Sequence, residues 1–129
     1  LRDFPGDPIQ DKIVHDIDLI INDPEIEVVV EVMGGKQPAM NYILACLDAG
    51  KNVVTANKDL VASEGKKILA TAKRNGKDFL YEASVAGGIP IIRPVKQCLA
   101  ANHITELMGI FNGTTNFIDK NVAGRHGVW

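Results

Sequence analysis

Residues 52–61 read NVVTANKDLV, and the fold of the whole chain is best understood from this stretch. The β-branched pair Val53-Val54 leads through small polar residues into a helical pattern that begins around Lys58. In a chain that alternates strands and helices, such a junction is the carboxyl end of a strand, where open α/β sheets bind ligands. The first turn of a helix favours anions because of the helix dipole. Lys58 is therefore a candidate functional residue, with an ordinary solvated lysine as the alternative.

The same alternation extends on both sides of this junction. The valine-rich pattern of residues 26–33 is typical of a strand covered on both faces. Gly50 and Gly76 follow helical patterns and are expected to end them. The predicted strands are 26–33, 52–56, 78–84 and 104–111, the predicted helices are about 38–49, 59–75 and 90–101, and residues 9–23 contain a short strand and a short helix capped by Asp16. This order predicts the α/β class, with one parallel sheet and helices on both faces.

Composition limits the function classes. The chain has 129 residues, of which 46% are hydrophobic and 23% charged, as expected of a globular domain. The net charge of −2 gives no reason to expect nucleic acid or an anionic membrane as a partner, and no apolar run is long enough to span a bilayer. Cys46 and Cys98 both lie in helical patterns, which predicts buried free thiols in a reducing cytosol. The loop-like opening, residues 1–8, indicates a segment of a longer protein.

The phosphate-binding motifs G-x-G-x-x-G and G-x-x-x-x-G-K-[ST] are absent from the sequence. Two other features could bind a cofactor or a cation. Gly34-Gly35 at a predicted strand end could let a cofactor approach the backbone, or could simply form a turn. Glu82 precedes a glycine-rich corner whose carbonyl groups could join its carboxylate around a hard cation, or it could be an ordinary strand residue. The three histidines are isolated from one another and favour no metal or catalytic site.

Four blocks of sequence carry a family resemblance. They are VVEVMGG at 29–35, AGKNVVTANK at 49–58, YEASVAGGIPII at 81–92 and GIFNGTTNFI at 109–118. In this order and spacing they resemble homoserine dehydrogenase, over a region from about Ile26 to Ile118.

The resemblance implies an oxidoreductase that interconverts L-homoserine and L-aspartate 4-semialdehyde with NAD or NADP. It places the protein in the cytoplasm, as a homodimer, in the biosynthesis of threonine, methionine and isoleucine. It also implies an incomplete Rossmann-type NAD(P)-binding domain over residues 1–84 and the first elements of an α+β substrate and dimerisation domain over 85–118. Residues 119–129 form an atypical tail that does not continue the expected pattern.

The resemblance also assigns roles to individual residues. Lys58 would be catalytic and would contact both the cofactor and the substrate. Gly34 and Thr55 would join it in binding the nicotinamide half of the cofactor, and Gly113 and Thr114 would bind the substrate. A monovalent cation, usually sodium in the family, would be held by Glu82, Val85, Gly87 and Ile89.

Some parts of the family pattern are missing from these 129 residues, namely the glycine-rich pyrophosphate loop and a second lysine of the substrate domain. We therefore expect this stretch alone to be inactive and to bind cofactor poorly. One alternative is a catalytically inactive α/β module with a regulatory or scaffolding role. Another is a Rossmann-type dehydrogenase that acts on a different small amino-acid aldehyde.

Overall fold

The computed structural model describes residues 4–106 and 108. The strands are β1 (Val28–Glu31), β2 (Asn52–Thr55) and β3 (Phe79–Leu80). The helices are α1 (Ile17–Ile21), α2 (Ala39–Asp48), α3 (Lys58–Arg74) and the π-helical turn α4 (Pro94–Cys98), with shorter 3₁₀ turns at Gln10–Lys12 and Glu82–Ser84. Among these residues, no helix combines the length and the apolar composition that a membrane span requires.

The three strands form one parallel sheet in the order β1-β2-β3, as the sequence predicted. Glu31 lies opposite Thr55, and Val53 lies opposite Phe79. Because the strands are parallel, their carboxyl ends meet at one edge of the sheet. We call this edge the carboxyl rim; the segments that leave it are 32–38, 56–57 and 81–91.

Helices α2 and α3 pack against each other and against the same face of the sheet. The core between them consists of Ala39, Met40, Ile43, Cys46, Leu47, Val53, Leu60, Ile68, Ala72 and Phe79. On the opposite face, Val28, Val30 and Leu80 are exposed, with 63% of Val30 accessible to solvent. The predicted helical cover on both faces is therefore not found within residues 4–106 and 108. The strands follow one another in a single direction, and right-handed crossovers in one direction place successive helices on the same face.

Both long helices end in the same way, which confirms the stop signals in the sequence. Gly50 and Gly76 adopt left-handed φ angles of +80° and +62°. The next residue in each case donates its N–H back to the last turn: Lys51 to the Cys46 carbonyl and Lys77 to the Ala72 carbonyl, both at 2.9 Å. This bonding pairs carbonyl groups that a helix end would otherwise leave free.

Lys51 is buried at the amino end of β2, on the edge opposite the carboxyl rim. Its ammonium group donates to the carbonyl oxygens of Asp23 at 2.6 Å and Ile26 at 2.8 Å. These bonds fasten the segment before β1 to the start of β2. The ammonium group is thus paired with two backbone dipoles, as a buried charge requires.

Replacing Lys51 by methionine should lower the free energy of unfolding by about 1–3 kcal/mol, because two partly buried carbonyl groups lose a charged donor. Equilibrium unfolding in urea would measure the change. Lys77 is the matched control: it follows α3 as Lys51 follows α2, and its amine makes no hydrogen bond within the described residues. Equal losses for Lys77→Met and Lys51→Met would contradict the assigned role.

Several predicted elements differ from the structure. The short helix capped by Asp16 is confirmed, since the Asp16 carboxylate accepts the Asp18 N–H at 2.9 Å. No strand precedes that helix within the described residues; a 3₁₀ turn at Gln10–Lys12 is present instead. The predicted strand 78–84 is limited to β3, because the chain turns after Leu80 into local hydrogen bonds from Ser84 to Tyr81 and from Val85 to Glu82.

The last part of the described chain is also less regular than predicted. The helix predicted to begin at Pro90 is shorter than expected. Its helical residues are 92–98, of which 94–98 form the π-helical turn α4. Residues 104–106 are not a strand, and most of the remaining predicted strand, 107 and 109–111, lies outside the described residues. Both cysteines are free, but only Cys46 is buried; Cys98 is exposed at the end of α4, a turn that contains no buried residue.

Candidate functional site

The segment after β1 contributes Gly34 and Gly35 to the carboxyl rim. Both residues have left-handed φ angles, +78° and +71°, which favour glycine because it lacks a Cβ. A Cβ built at either position would find no atom within 4 Å. The backbone of this turn is therefore open to solvent on the side where a side chain would stand. This arrangement leaves room for a flat ligand group against the backbone.

Thr55 lies at the carboxyl end of the central strand and is 1% exposed. Its hydroxyl group donates to the Glu31 carboxylate at 2.5 Å and accepts the Asn57 N–H at 3.0 Å. Its carbonyl oxygen accepts the Ser84 hydroxyl proton at 3.0 Å. The side chain that the sequence assigns to the cofactor is thus already hydrogen-bonded inside the protein. Thr55 connects the segments that leave all three strands.

Asn57 caps α3 and joins it to the Gly34-Gly35 turn. Its side-chain carbonyl accepts the Leu60 N–H at 3.1 Å, and its amide donates to the Gly35 carbonyl at 2.5 Å. Lys58 is the next residue and the first of α3. Its side chain is exposed at the carboxyl rim, where the sequence predicted it, and its amine makes no hydrogen bond or ion pair with residues 4–106 or 108. The amine is therefore available to a ligand on this rim.

Glu82 follows β3 and organises the next corner. Its carboxylate accepts three backbone N–H groups, from Ile91 at 2.5 Å, Ile92 at 2.8 Å and Arg93 at 2.8 Å. Desolvation raises the pKa of Glu82, but the N–H groups of Arg93, Ile91 and Ile92, together with the Arg93 charge, outweigh it and hold the pKa below its ordinary value. The ionised carboxylate therefore caps the helical residues that lead into α4.

Replacing Glu82 by glutamine should remove a pH-dependent part of the stability. Because the folded-state pKa is lowered, the ionised carboxylate stabilises the wild type above the ordinary pKa of 4.5, and this contribution is lost as the pH falls through the lower folded-state value. Urea unfolding of both proteins across this range should show a wild-type advantage near neutral pH that shrinks below pH 4.5. Glu25→Gln, at an exposed position, is the control; a constant difference between wild type and Glu82→Gln would contradict the assignment.

The corner after Glu82 presents backbone carbonyl groups. Ala86 and Gly87 take left-handed φ angles of +58° and +61°, which fold the chain tightly. No hydrogen bond between described residues uses the carbonyl oxygens of Val85, Gly87 or Ile89. Within residues 4–106 and 108, no three His, Cys, Asp or Glu side chains come together as a metal-binding group. A cation at this corner would therefore depend on carbonyl oxygens and one carboxylate.

The structure brings Gly34, Thr55 and Lys58 together on one rim, while Gly113 and Thr114 lie outside the described residues. Sequence reasoning missed Glu31, Asn57 and Ser84, which hold the rim segments in place. Asn57 could have been found, because asparagine directly before a helical pattern is a strong N-cap signal. Glu31 offered a weaker signal, an acid in an otherwise apolar strand.

Two family profiles match the chain. One, described as the NAD-binding domain of homoserine dehydrogenase, matches residues 7–82. The second, described as homoserine dehydrogenase, matches residues 90–127. The domain limits predicted at residues 84, 85, 118 and 119 stay predictions.

Individual relatives agree with these profiles. The homoserine dehydrogenase of Bacillus subtilis is 54% identical over 99 residues, which are 77% of this chain and 23% of the relative. The Synechocystis enzyme is 48% identical over 103 residues, 80% of this chain and 24% of the relative. The chain thus spans about a quarter of the length of these relatives.

Solved structures support the same relationship. A homoserine dehydrogenase from Thiobacillus denitrificans aligns with a TM-score of 0.75 and 48% identity, covering 81% of this chain and 24% of the other. The Staphylococcus aureus enzyme aligns with a TM-score of 0.55 and 42% identity, over 59% of this chain and 19% of the other. These matches do not favour the alternative of an inactive regulatory or scaffolding module. With a profile over more than half of its length, relatives near 50% identity and a parallel sheet of the same fold, the chain belongs to the homoserine dehydrogenase family.

Proposed function

We propose that the complete protein interconverts L-homoserine and L-aspartate 4-semialdehyde by hydride transfer with NAD or NADP. Family membership supports this proposal. The single structural observation that carries it is the position of Lys58, an exposed lysine without an internal partner in the described residues, at the carboxyl rim of a parallel sheet. Ligands of open α/β sheets bind at this rim.

The rim residues fit a pyridine nucleotide. The open backbone at Gly34 and Gly35 has room for a planar ring, and Lys58 begins the helix of the neighbouring strand–helix unit. Bound there, the nicotinamide would accept or supply the hydride. Thr55, whose hydroxyl group is internally bonded, supports this surface from beneath. We therefore assign the cofactor contacts to Gly34 and Lys58, and a supporting role to Thr55.

Lys58 would act at the oxygen on C4 of the substrate. That oxygen loses a proton when homoserine is oxidised and gains one in the reverse reaction. An amine within hydrogen-bond distance can carry this proton, or can stabilise the negative charge that develops on the oxygen. Gly113 and Thr114 are proposed to position the substrate from the second domain.

We include a monovalent cation, sodium by analogy with the family, in this proposal. The carbonyl oxygens of Val85, Gly87 and Ile89 would be its main ligands, because no hydrogen bond between described residues uses them. A carboxylate offers about four acceptor positions. Three positions on Glu82 accept backbone N–H groups, which leaves one for the cation. The cation would hold the glycine-rich corner between the nucleotide-binding and substrate domains.

The proposal extends to the cellular setting by analogy with the family. The protein would act in the cytoplasm, as a homodimer, in a step that leads from aspartate to threonine, methionine and isoleucine. Neither a membrane nor a nucleic acid is required for this reaction.

The test is an assay of the protein expressed from its complete coding sequence. Homoserine should support reduction of NAD or NADP, followed by absorbance, whereas serine, one methylene shorter, should support little. Residues 1–129 expressed alone should show no homoserine-dependent reduction. Cofactor reduction with another amino-acid alcohol in preference to homoserine would favour a different dehydrogenase, and no reduction with any of them would favour the inactive module.

A further inference from the structure

A buried acid lies beneath the carboxyl rim. Glu31 is the last residue of β1, and only 5% of it is exposed. Its two carboxylate oxygens have separate partners: one accepts the Met33 N–H at 2.7 Å, and the other accepts the Thr55 hydroxyl proton at 2.5 Å. No charged side chain is paired with it among the described residues. A buried carboxylate is costly unless its hydrogen bonds are satisfied, and here two donors satisfy it.

Further hydrogen bonds connect Thr55 through Asn57 to the turn that contains Gly34 and Gly35. Thr55 accepts the Asn57 N–H, and the Asn57 side chain donates to the Gly35 carbonyl. The chain of contacts therefore starts at Met33, before Gly34, and returns at Gly35, after it. We call the set Met33, Glu31, Thr55, Asn57 and Gly35 the rim ring. It fixes both sides of Gly34 and also fixes the residue before Lys58.

We propose that Glu31 is a positioning residue, which sets the geometry of the cofactor-binding surface through the rim ring. The inference rests on the proposed function and deepens it. Glu31 is too buried to contact a nucleotide, so it acts through Thr55 and Asn57 on Gly34 and Lys58. The ring holds the turn in its left-handed conformation before the cofactor arrives, and a preorganised surface binds more tightly because less freedom is lost on binding.

The hydrogen-bonding pattern explains why a carboxylate is needed. Two donors converge on the side chain, and a carboxylate can accept both. A glutamine of nearly the same shape has one acceptor oxygen and one donor NH₂ group. Placed at position 31, its NH₂ group would face either the Met33 N–H, as a second donor, or the Thr55 hydroxyl, which would then have to turn its proton away. The first arrangement breaks the Met33 contact. The second keeps the Thr55 contact in reverse, but the buried hydroxyl proton loses its acceptor. In either case one buried donor of the ring is left without an acceptor, while the packing volume stays almost unchanged.

The experiment uses the protein from its complete coding sequence and three single variants. Glu31→Gln leaves one donor of the ring without an acceptor, Thr55→Val removes the hydroxyl group at its centre, and Val53→Ala removes buried volume from the same face of the same strand without touching the ring. Dissociation constants for NAD and NADP are measured by calorimetry under conditions where every variant is folded. Glu31→Gln and Thr55→Val should each weaken binding about tenfold, which corresponds to loss of one well-placed buried hydrogen bond. The double variant should bind no more weakly than either single variant, because each already disrupts the same ring.

A second readout does not depend on the cofactor. Hydrogen exchange of the Asn57 amide, which donates to the Thr55 hydroxyl group, should be faster in Thr55→Val than in wild type and unchanged in Val53→Ala. Cofactor affinity within twofold of wild type in Glu31→Gln, or equal weakening by Val53→Ala, would overturn the positioning role. If the wild type itself bound neither nucleotide, the proposed function would fail, and unchanged exchange of the Asn57 amide in Thr55→Val would overturn the ring independently.

Discussion

Replacing Lys58 by alanine should lower kcat for homoserine oxidation by a factor of about 10²–10⁴, the range that a positioned proton-transfer group contributes. The reason is the location of the amine, at the first residue of α3 and without an internal partner among the described residues. Nothing in the described fold depends on that amine, so the free energy of unfolding should stay within about 0.5 kcal/mol of wild type. Steady-state kinetics and urea unfolding together would separate a loss of chemistry from a loss of structure.

Two further variants sharpen this test. Lys67→Ala removes an exposed lysine from the same helix, and its kcat should equal that of wild type. Lys58→Arg keeps the positive charge, but arginine does not give up its proton in proteins. Partial activity in Lys58→Arg would identify Lys58 as an electrostatic anchor, and activity as low as in Lys58→Ala would identify it as the group that carries the proton. Unchanged turnover in Lys58→Ala would remove Lys58 from the site.

Replacing Ile68 by alanine should lower the free energy of unfolding by about 2–5 kcal/mol, the usual cost of truncating a fully buried aliphatic side chain. Ile68 is 0% exposed and packs in the core between α2, α3 and the sheet. Its truncation removes apolar contacts and leaves a cavity that the surrounding helices can close only in part. The midpoint of urea unfolding would report the loss.

The neighbouring residue provides the control for that experiment. Leu69 follows Ile68 in α3 but is 36% exposed, because successive helical residues point about 100° apart. Leu69→Ala should therefore cost clearly less than Ile68→Ala, although the two substitutions remove equal numbers of carbon atoms and end in the same residue. Equal losses would mean that the solution packing of α3 differs from the core described above.

The parts of the fold that could be predicted from sequence are those with a local cause. Gly50 and Gly76 end helices because they adopt left-handed conformations, and Asp16 begins one because its carboxylate reaches the next turn. The strand–helix alternation was enough to predict a parallel sheet and to place Lys58 on its carboxyl rim. These features depend on residues within a few positions of one another.

The parts that could not be predicted depend on residues that meet only in the folded chain. The burial of Lys51 could not be predicted from its neighbours in sequence, because the carbonyl groups that accept from its ammonium group lie 25 and 28 residues earlier. Glu82 looked like a strand residue, whereas it lies after β3 and its carboxylate accepts N–H groups 9 to 11 residues later; its role as a cation ligand stays a prediction. The valines of β1 predicted that both faces of the sheet are covered by helices. Hydrophobicity shows only that a strand favours burial; it does not show whether helices from this part of the chain bury it.

The exposed side chains of Val28, Val30 and Leu80 affect how this stretch should be handled in solution. Fluorescent dyes such as ANS bind exposed aliphatic surface, and their emission is commonly taken as a sign of a molten globule. Here a correctly folded sheet offers such a surface. Dye emission from residues 1–129 would therefore accompany intact packing, and near-UV circular dichroism is the appropriate measure of whether the tertiary structure is present.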